Sequence, residues 1–102
     1  MIRVDVIAKK TVRLNNEGIE RLPQDKPVVY KILDKKGDNI YTGVVKKGNV
    51  HDRLKDHLPG RRDAIPGATK VQIEQQPTIK DAGKKEVNII SRTKPKYNQQ
   101  GM

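Results

Sequence analysis

The chain has 102 residues with no cysteine, tryptophan or phenylalanine, three tyrosines and a net charge of +10. These figures exclude a disulfide scaffold, a thiolate nucleophile and a zinc–cysteine site. No apolar run reaches the length of a membrane span.

The length allows one domain with a small core, and 33% hydrophobic content with a mean hydropathy of −0.83 agrees. Twenty-two Lys and Arg against twelve Asp and Glu call for a polyanionic partner, nucleic acid first. So few aromatic residues favour contact with the phosphate backbone over base stacking. The opening MIRVDVIAKK lacks the apolar centre of a signal peptide, so a cytoplasmic location is expected.

Residues 2–7, IRVDVI, alternate apolar and polar and predict a short strand. Asn15 or Asn16 is placed to cap a short helix over residues 17–22, closed by Pro23, although Gly18 lies inside it. Residues 1–26 carry no evident chemistry and are expected to form a packing or docking extension. Residues 27–33, PVVYKIL, are a β-branched run and predict a strand. The turn formers DKKGDN follow at 34–39, and IYTGVVK at 40–46 returns as the second strand of a hairpin. Val28, Tyr30 and Ile32 share one face of the first strand; Tyr41, Gly43 and Val45 share one face of the second. Gly43 lets a neighbouring group come close.

After a basic loop at 46–48, a helix is expected over residues 49–58, with Asn49 as its cap. Its apolar stripe is Val50, Leu54 and Leu58. Arg53 and His57, four residues apart, lie side by side on an adjacent face. Arg61 and Arg62 follow in a Pro/Gly-rich loop, and residues 71–74 predict a third strand. Thr78 is placed as N-cap of the last helix, with Asp81 three residues on as an approximate capping box. Its apolar side is drawn from Ile79, Ala82, Val87, Ile89 and Ile90. Glu86 falls one turn before Ile90. Pro95 stops the helix, and Tyr97 and Asn98 follow on a rigid turn. A carboxylate held this way suits a metal or catalytic role; the alternative is a solvated Glu on a surface helix. Residues 99–102 are expected to fray.

Strand–turn–strand, helix, strand, helix is thus the expected order. Tyr30, Tyr41 with Gly43, Arg53 with His57, Glu86 and Asn98 are distributed along it. This constellation resembles the GIY-YIG endonuclease domain family over residues 27–98. The two triplets of that family stand here as Val28-Val29-Tyr30 and Tyr41-Thr42-Gly43, and its last motif as Glu86 followed by Lys94-Pro95-Lys96-Tyr97-Asn98. The resemblance implies an α/β (α+β) fold: a small three-stranded, mainly antiparallel sheet flanked by helices, with the N-terminal strand and helix as an extension. Two departures stand out. Val28 replaces a Gly, and Val44 occupies a position where many members carry Lys, in a loop a residue or two longer than usual. Lys46 or Lys47 is the expected substitute for that charge.

The implied activity is an endonuclease dependent on Mg²⁺ or Mn²⁺ that hydrolyses phosphodiester bonds of DNA, with RNA the second candidate. Glu86 would bind the metal as a hard oxygen ligand. Arg53 would hold a phosphate oxygen with its fork of donors. Tyr30 is expected as general base, with Tyr41 orienting water or phosphate and His57 as the competing base. Asn98 is expected to bond Tyr30 or the turn. Lys46, Lys47, Arg53, Arg61, Arg62 and Lys94 are the expected nucleic-acid contacts. The alternative readings are a catalytically silent nucleic-acid-binding module and the nuclease toxin module of a larger secreted effector. The first nuclease reading leaves room for a targeting partner, and the toxin reading implies an immunity protein.

Overall fold

A four-stranded antiparallel sheet in the order β1-β4-β2-β3 organises the computed structural model, which describes residues 8–98. The strands are β1 (Lys9–Arg13), β2 (Val28–Leu33), β3 (Asn39–Val45) and β4 (Lys70–Gln75). The helices are α1 (Asn16–Glu20), α2 (Val50–Lys55) and α3 (Ile79–Thr93), and a 3₁₀ turn closes the described chain at Lys96–Asn98. The strand expected at residues 2–7 and the tail 99–102 lie outside the described residues. None of the helices among the described residues is long and apolar enough to cross a membrane.

The hairpin forms as its pattern predicts. Tyr30 pairs with Gly43, Ile32 with Tyr41 and Val28 with Val45, so all six share one face of the sheet. Asp34 closes the turn, its carboxylate accepting from the backbone N–H groups of Lys36 and Asp38. The N-terminal segment is packed into the domain: β1 pairs with β4, and Ile19 and Leu22 join the core. Asn15, not Asn16, caps α1, its side chain accepting from the N–H of Gly18 at 2.7 Å.

The main core lies on the face of Val28, Tyr30, Ile32, Val71 and Ile73, against Val50 and Leu54 of α2 and Ile19 of α1. α2 is shorter than expected and ends at Lys55. The Asn49 side chain makes no capping bond. Gln24 does that work from another segment, its Oε1 accepting from the N–H of His51 at 2.8 Å.

α3 covers β3 and β2 on the opposite face of the sheet. Register fixes that side: Val29 pairs with Glu74, and Glu74 binds Lys85 of α3 at 3.2 Å. The helix begins as its sequence signals. Thr78 Oγ1 accepts from the N–H of Asp81 and donates to its carboxylate. It ends at Lys94, a left-handed cap with φ 45°, before the buried Pro95. Its buried line differs from the one expected. Ala82 and Ile89 are buried, but Ile79 is 43% and Val87 65% exposed. At 100° per residue, Val87 points away from the line through Ala82 and Ile89, and Glu86 lies on it.

Two glycines in helices give opposite predictions. A Cβ at Gly83 in α3 would meet nothing within 4 Å, so Gly83→Ala should stabilise by about 0.5–1 kcal/mol through helix propensity alone. A Cβ at the buried Gly18 in α1 would run into the backbone carbonyl of Arg13, so Gly18→Ala should instead cost about 1–3 kcal/mol. Urea denaturation of the two variants reads both signs.

Candidate active site

Three side chains meet where β2, β3 and α2 converge. Tyr30 is 1% exposed, and its hydroxyl lies 2.8 Å from Nε2 of the buried His57. Its ring and hydroxyl fill the space a side chain at Gly43 would take: a Cβ there would stand 2.5 Å from the Tyr30 hydroxyl. Tyr41 completes the group, its ring centroid 5.2 Å from that of His57 and 6.1 Å from that of Tyr30.

The proton positions follow from the partners. Nδ1 of His57 faces the backbone carbonyl of Asp63 at 2.9 Å, and a carbonyl can only accept. Nδ1 therefore carries the hydrogen, and in the neutral ring Nε2 accepts from the Tyr30 hydroxyl. Burial holds the His57 pKa below its ordinary value, which favours this neutral form. Burial, with the nearby Tyr41 adding to it, pushes the Tyr30 pKa far above that of a free phenol.

Arg53, one turn before His57, faces the same place. Its Nη1 donates to the Asp63 carboxylate at 2.6 Å and reaches Asp56 at 3.5 Å, while Nε and Nη2 are not engaged by either. Burial opposes its charge, but the bond to Asp63 and the nearby Tyr30 and Tyr41 outweigh that and raise its pKa further. The same ion pair holds the Asp63 carboxyl below the usual carboxylate range. Tyr41, Arg53, His57, Arg62, Asp63, Lys96 and Tyr97 line an open cleft of about 700 Å³.

The C-terminal segment crosses the outer edge of β3 to reach this cleft. Asn98 Oδ1 accepts from the Thr42 N–H at 2.7 Å, and Nδ2 donates to the Thr42 carbonyl at 2.9 Å. The Asn98 side chain thus bonds the β3 backbone beside Tyr41, where Tyr30 or the turn was the expectation, and its backbone N–H closes the turn on the Pro95 carbonyl at 3.1 Å.

Glu86 stands on the sheet-facing side of α3, half-buried, and is not among the residues lining the cleft. α3 lies on the opposite face from α2, so β3 separates Glu86 from the Tyr30–His57 pair. Among the described residues the Glu86 carboxylate has no hydrogen-bond or ion-pair partner, and burial alone raises its pKa. A lone, partly desolvated carboxylate in so basic a chain is a donor that a divalent cation would suit. No three His, Cys, Asp or Glu side chains gather as a possible metal site among the described residues.

The structure therefore departs from the sequence expectations at several positions. Tyr30 is enclosed in the core with its hydroxyl committed to His57, surroundings that disfavour it as general base. Of the two hairpin tyrosines, Tyr41 is the one that lines the cleft. Lys46 and Lys47 are exposed at a groove shared with Pro27 and Ile79, away from the cleft; Lys96 is the lysine that lines the cleft. Arg62 lines it too, whereas Arg61 lines a neighbouring depression with Asp52 and Asp56. Lys94 is the exposed helix cap. Asp63, Lys96 and Tyr97 are not among the site residues expected from the sequence. Lys96 and Tyr97 sit inside the Lys-Pro-x-Tyr turn and so carried a signal; Asp63, in an aperiodic loop, carried none.

The comparisons with known proteins agree with this fold. No family model matches the chain. It is 33% identical over 89 residues to UvrABC system protein C of Carboxydothermus hydrogenoformans, a stretch covering 80% of this chain and 14% of that protein. The chain therefore spans a small part of the relative's length. Among solved structures it is similar to the GIY-YIG N-terminal endonuclease domain of UvrC from Thermotoga maritima, bound to its catalytic divalent cation, magnesium. The TM-score is 0.64 at 26% identity, over 79% of this chain and 96% of that one. Two point mutants of the same domain, also bound to the catalytic divalent cation, give TM-scores of 0.63 and 0.65. They are 27% and 26% identical to this chain and cover 79% and 82% of it and 94% and 98% of their own length.

The His57 environment has a pH consequence. The folded state holds His57 below its ordinary value of 6.5, so under acid the unfolded chain takes up this proton first. The stability due to neutral His57 is complete above that value and is lost as pH falls below it. Melting midpoints measured between about pH 7.5 and pH 5 should fall, and His57→Gln should flatten that part of the profile.

Proposed function

The chain belongs to the GIY-YIG endonuclease domain family, and from that premise we propose that it is a divalent-metal-dependent endonuclease that hydrolyses phosphodiester bonds of DNA. The observation that carries this reading is the cleft. A fixed guanidinium, a tyrosine hydroxyl and a lysine face one open space, and across β3 Glu86 is a carboxylate that has no cation of its own.

Each residue has a role its surroundings support. Arg53 holds the scissile phosphate: Asp63 fixes Nη1 and orients the fork, leaving Nε and Nη2 for two phosphate oxygens. Charge building on those oxygens as water adds is met by a preorganised cation, which costs no reorganisation at that moment. Lys96 adds positive charge on the far wall. Tyr41 is the group placed to hydrogen-bond the attacking water and pass on its proton. Tyr30 and His57 act behind it. Their bond, tied to the Asp63 carbonyl, fixes the ring against which Tyr41 packs. Asn98 sets the β3 backbone on either side of the Thr42 peptide and so aims Tyr41. Glu86 would hold Mg²⁺, which when bound supplies charge neutralisation and an acidified water. Water attack breaks one P–O bond, leaving a phosphate monoester on one fragment and a hydroxyl on the other.

Conversion of supercoiled plasmid to nicked circles in Mg²⁺ is the direct test. Tyr41→Phe, Arg53→Ala and Glu86→Gln should each lower the rate by roughly 100-fold or more. Glu86→Gln should melt no lower than wild type, because it removes a partly buried, unpaired charge. Tyr30→Phe leaves His57 Nε2 without its donor, so it should cost about 1–3 kcal/mol of stability and affect the rate less than Tyr41→Phe. Nicking that persists in Glu86→Gln or in the presence of a chelator would overturn this assignment.

A further inference from the structure

The sheet face covered by α3 is only half covered. The helix lies over β3 and β2, and reaches β4 through the Lys85–Glu74 pair. Register places Lys9, Thr11 and Arg13 of β1, Lys70, Gln72 and Glu74 of β4, and Lys31 of β2 on this same face. Arg13 stands directly opposite Lys70. Lys31 stands opposite Gln72, whose Nε2 donates to Thr11 Oγ1 at 3.1 Å on the next strand. Arg13 and Lys70 are exposed and Lys31 is half-buried.

Among the described residues, nothing on this face or elsewhere forms an ion pair with these three cations. Glu74 is the one carboxylate in these rows, and Lys85 and the Gln76 side chain already occupy it. Like charges directly opposite one another on neighbouring strands destabilise a sheet. Here one such pair is kept, with a third cation one row away, all fixed on strands about 5 Å apart. A bound polyanion turns that cost into affinity. The rows carry no aromatic side chain, so they suit a phosphate backbone and not stacked bases.

We propose that Arg13, Lys31 and Lys70 form a second nucleic-acid site, which binds backbone phosphates of the substrate on the sheet face away from the cleft. The proposal rests on the nuclease reading above for its choice of polyanion. It assigns a purpose to β1, which supplies Arg13 and completes the platform. The site is indifferent to sequence, so its signature is salt dependence.

The test is fluorescence anisotropy of the full chain with a short labelled duplex DNA, between about 50 and 200 mM salt. Arg13→Gln/Lys31→Gln/Lys70→Gln should reduce the slope of log K against log salt by about 2–3. Affinity should fall at least tenfold, roughly, while the nicking rate at saturating DNA stays unchanged. The control Lys35→Gln/Lys36→Gln/Lys84→Gln removes the same charge elsewhere and should change the slope much less. Arg13→Glu keeps the proposal testable if the triple variant folds poorly. It places a carboxylate opposite Lys70, and should raise the melting midpoint while weakening binding. Wild-type affinity in Arg13→Glu, a wild-type slope in the triple variant, or an equal loss in the control would overturn the proposal and leave the nuclease reading intact. A wild-type protein that neither binds nor nicks DNA would overturn both.

Discussion

The hydrogen bond from the Tyr30 hydroxyl to His57 Nε2 holds the functional half of this protein in register. It joins the central strand β2 to the segment after α2 inside the core, where an unpaired hydroxyl or imidazole is costly. It also dictates its neighbours. Gly43 opposite must lack a side chain because Tyr30 fills that space. Asp63 must offer its carbonyl to Nδ1, which brings its carboxylate onto Arg53. One buried contact thus organises β2, β3, α2 and the loop after it, and the cleft forms at their common end.

The parts legible in the sequence were those whose cause is local. Asp34 and the turn formers after it mark the hairpin, Asn15 and Thr78 make side-chain caps, and Pro95 stops α3, each within a few residues of its partner. What escaped depends on distant partners. β1, KKTVR, has a single apolar side chain, Val12, because it is an edge strand with one face in solvent. Asn49 looks like a cap, but Gln24 reaches the helix first. The apolar residues of α3 place Val87 on its buried side, where helical phase carries Glu86 to the sheet and Val87 to water. The same limit applies to the site. The tyrosines, Arg53, His57, Glu86 and Asn98 stand out by type and order. That Tyr30 is enclosed while Tyr41 faces the cleft is a matter of β-bulge, register and burial, which no motif records.

Four carboxylates among the described residues have shifted pKa values, in two opposite directions. Asp63, Glu20 and Glu74 each bind a cation of the protein, and each has its pKa lowered. Glu86 binds none, and its pKa is raised. A fold dense in Lys and Arg could have neutralised it by a short side-chain movement. On the sheet-facing side of α3, burial alone raises its pKa, with no opposing charge among the described residues to lower it.

The Asn98 amide has one more consequence. β3 is the last strand of the sheet, and an outer strand with free N–H and C=O groups is a template on which another chain can add. Asn98 occupies both backbone groups of Thr42, at the middle of that strand, as a paired strand would. The turn after Pro95 therefore also works as a guard on the sheet. It denies the middle of that edge to an added strand, through the same side chain that bonds the β3 backbone beside Tyr41.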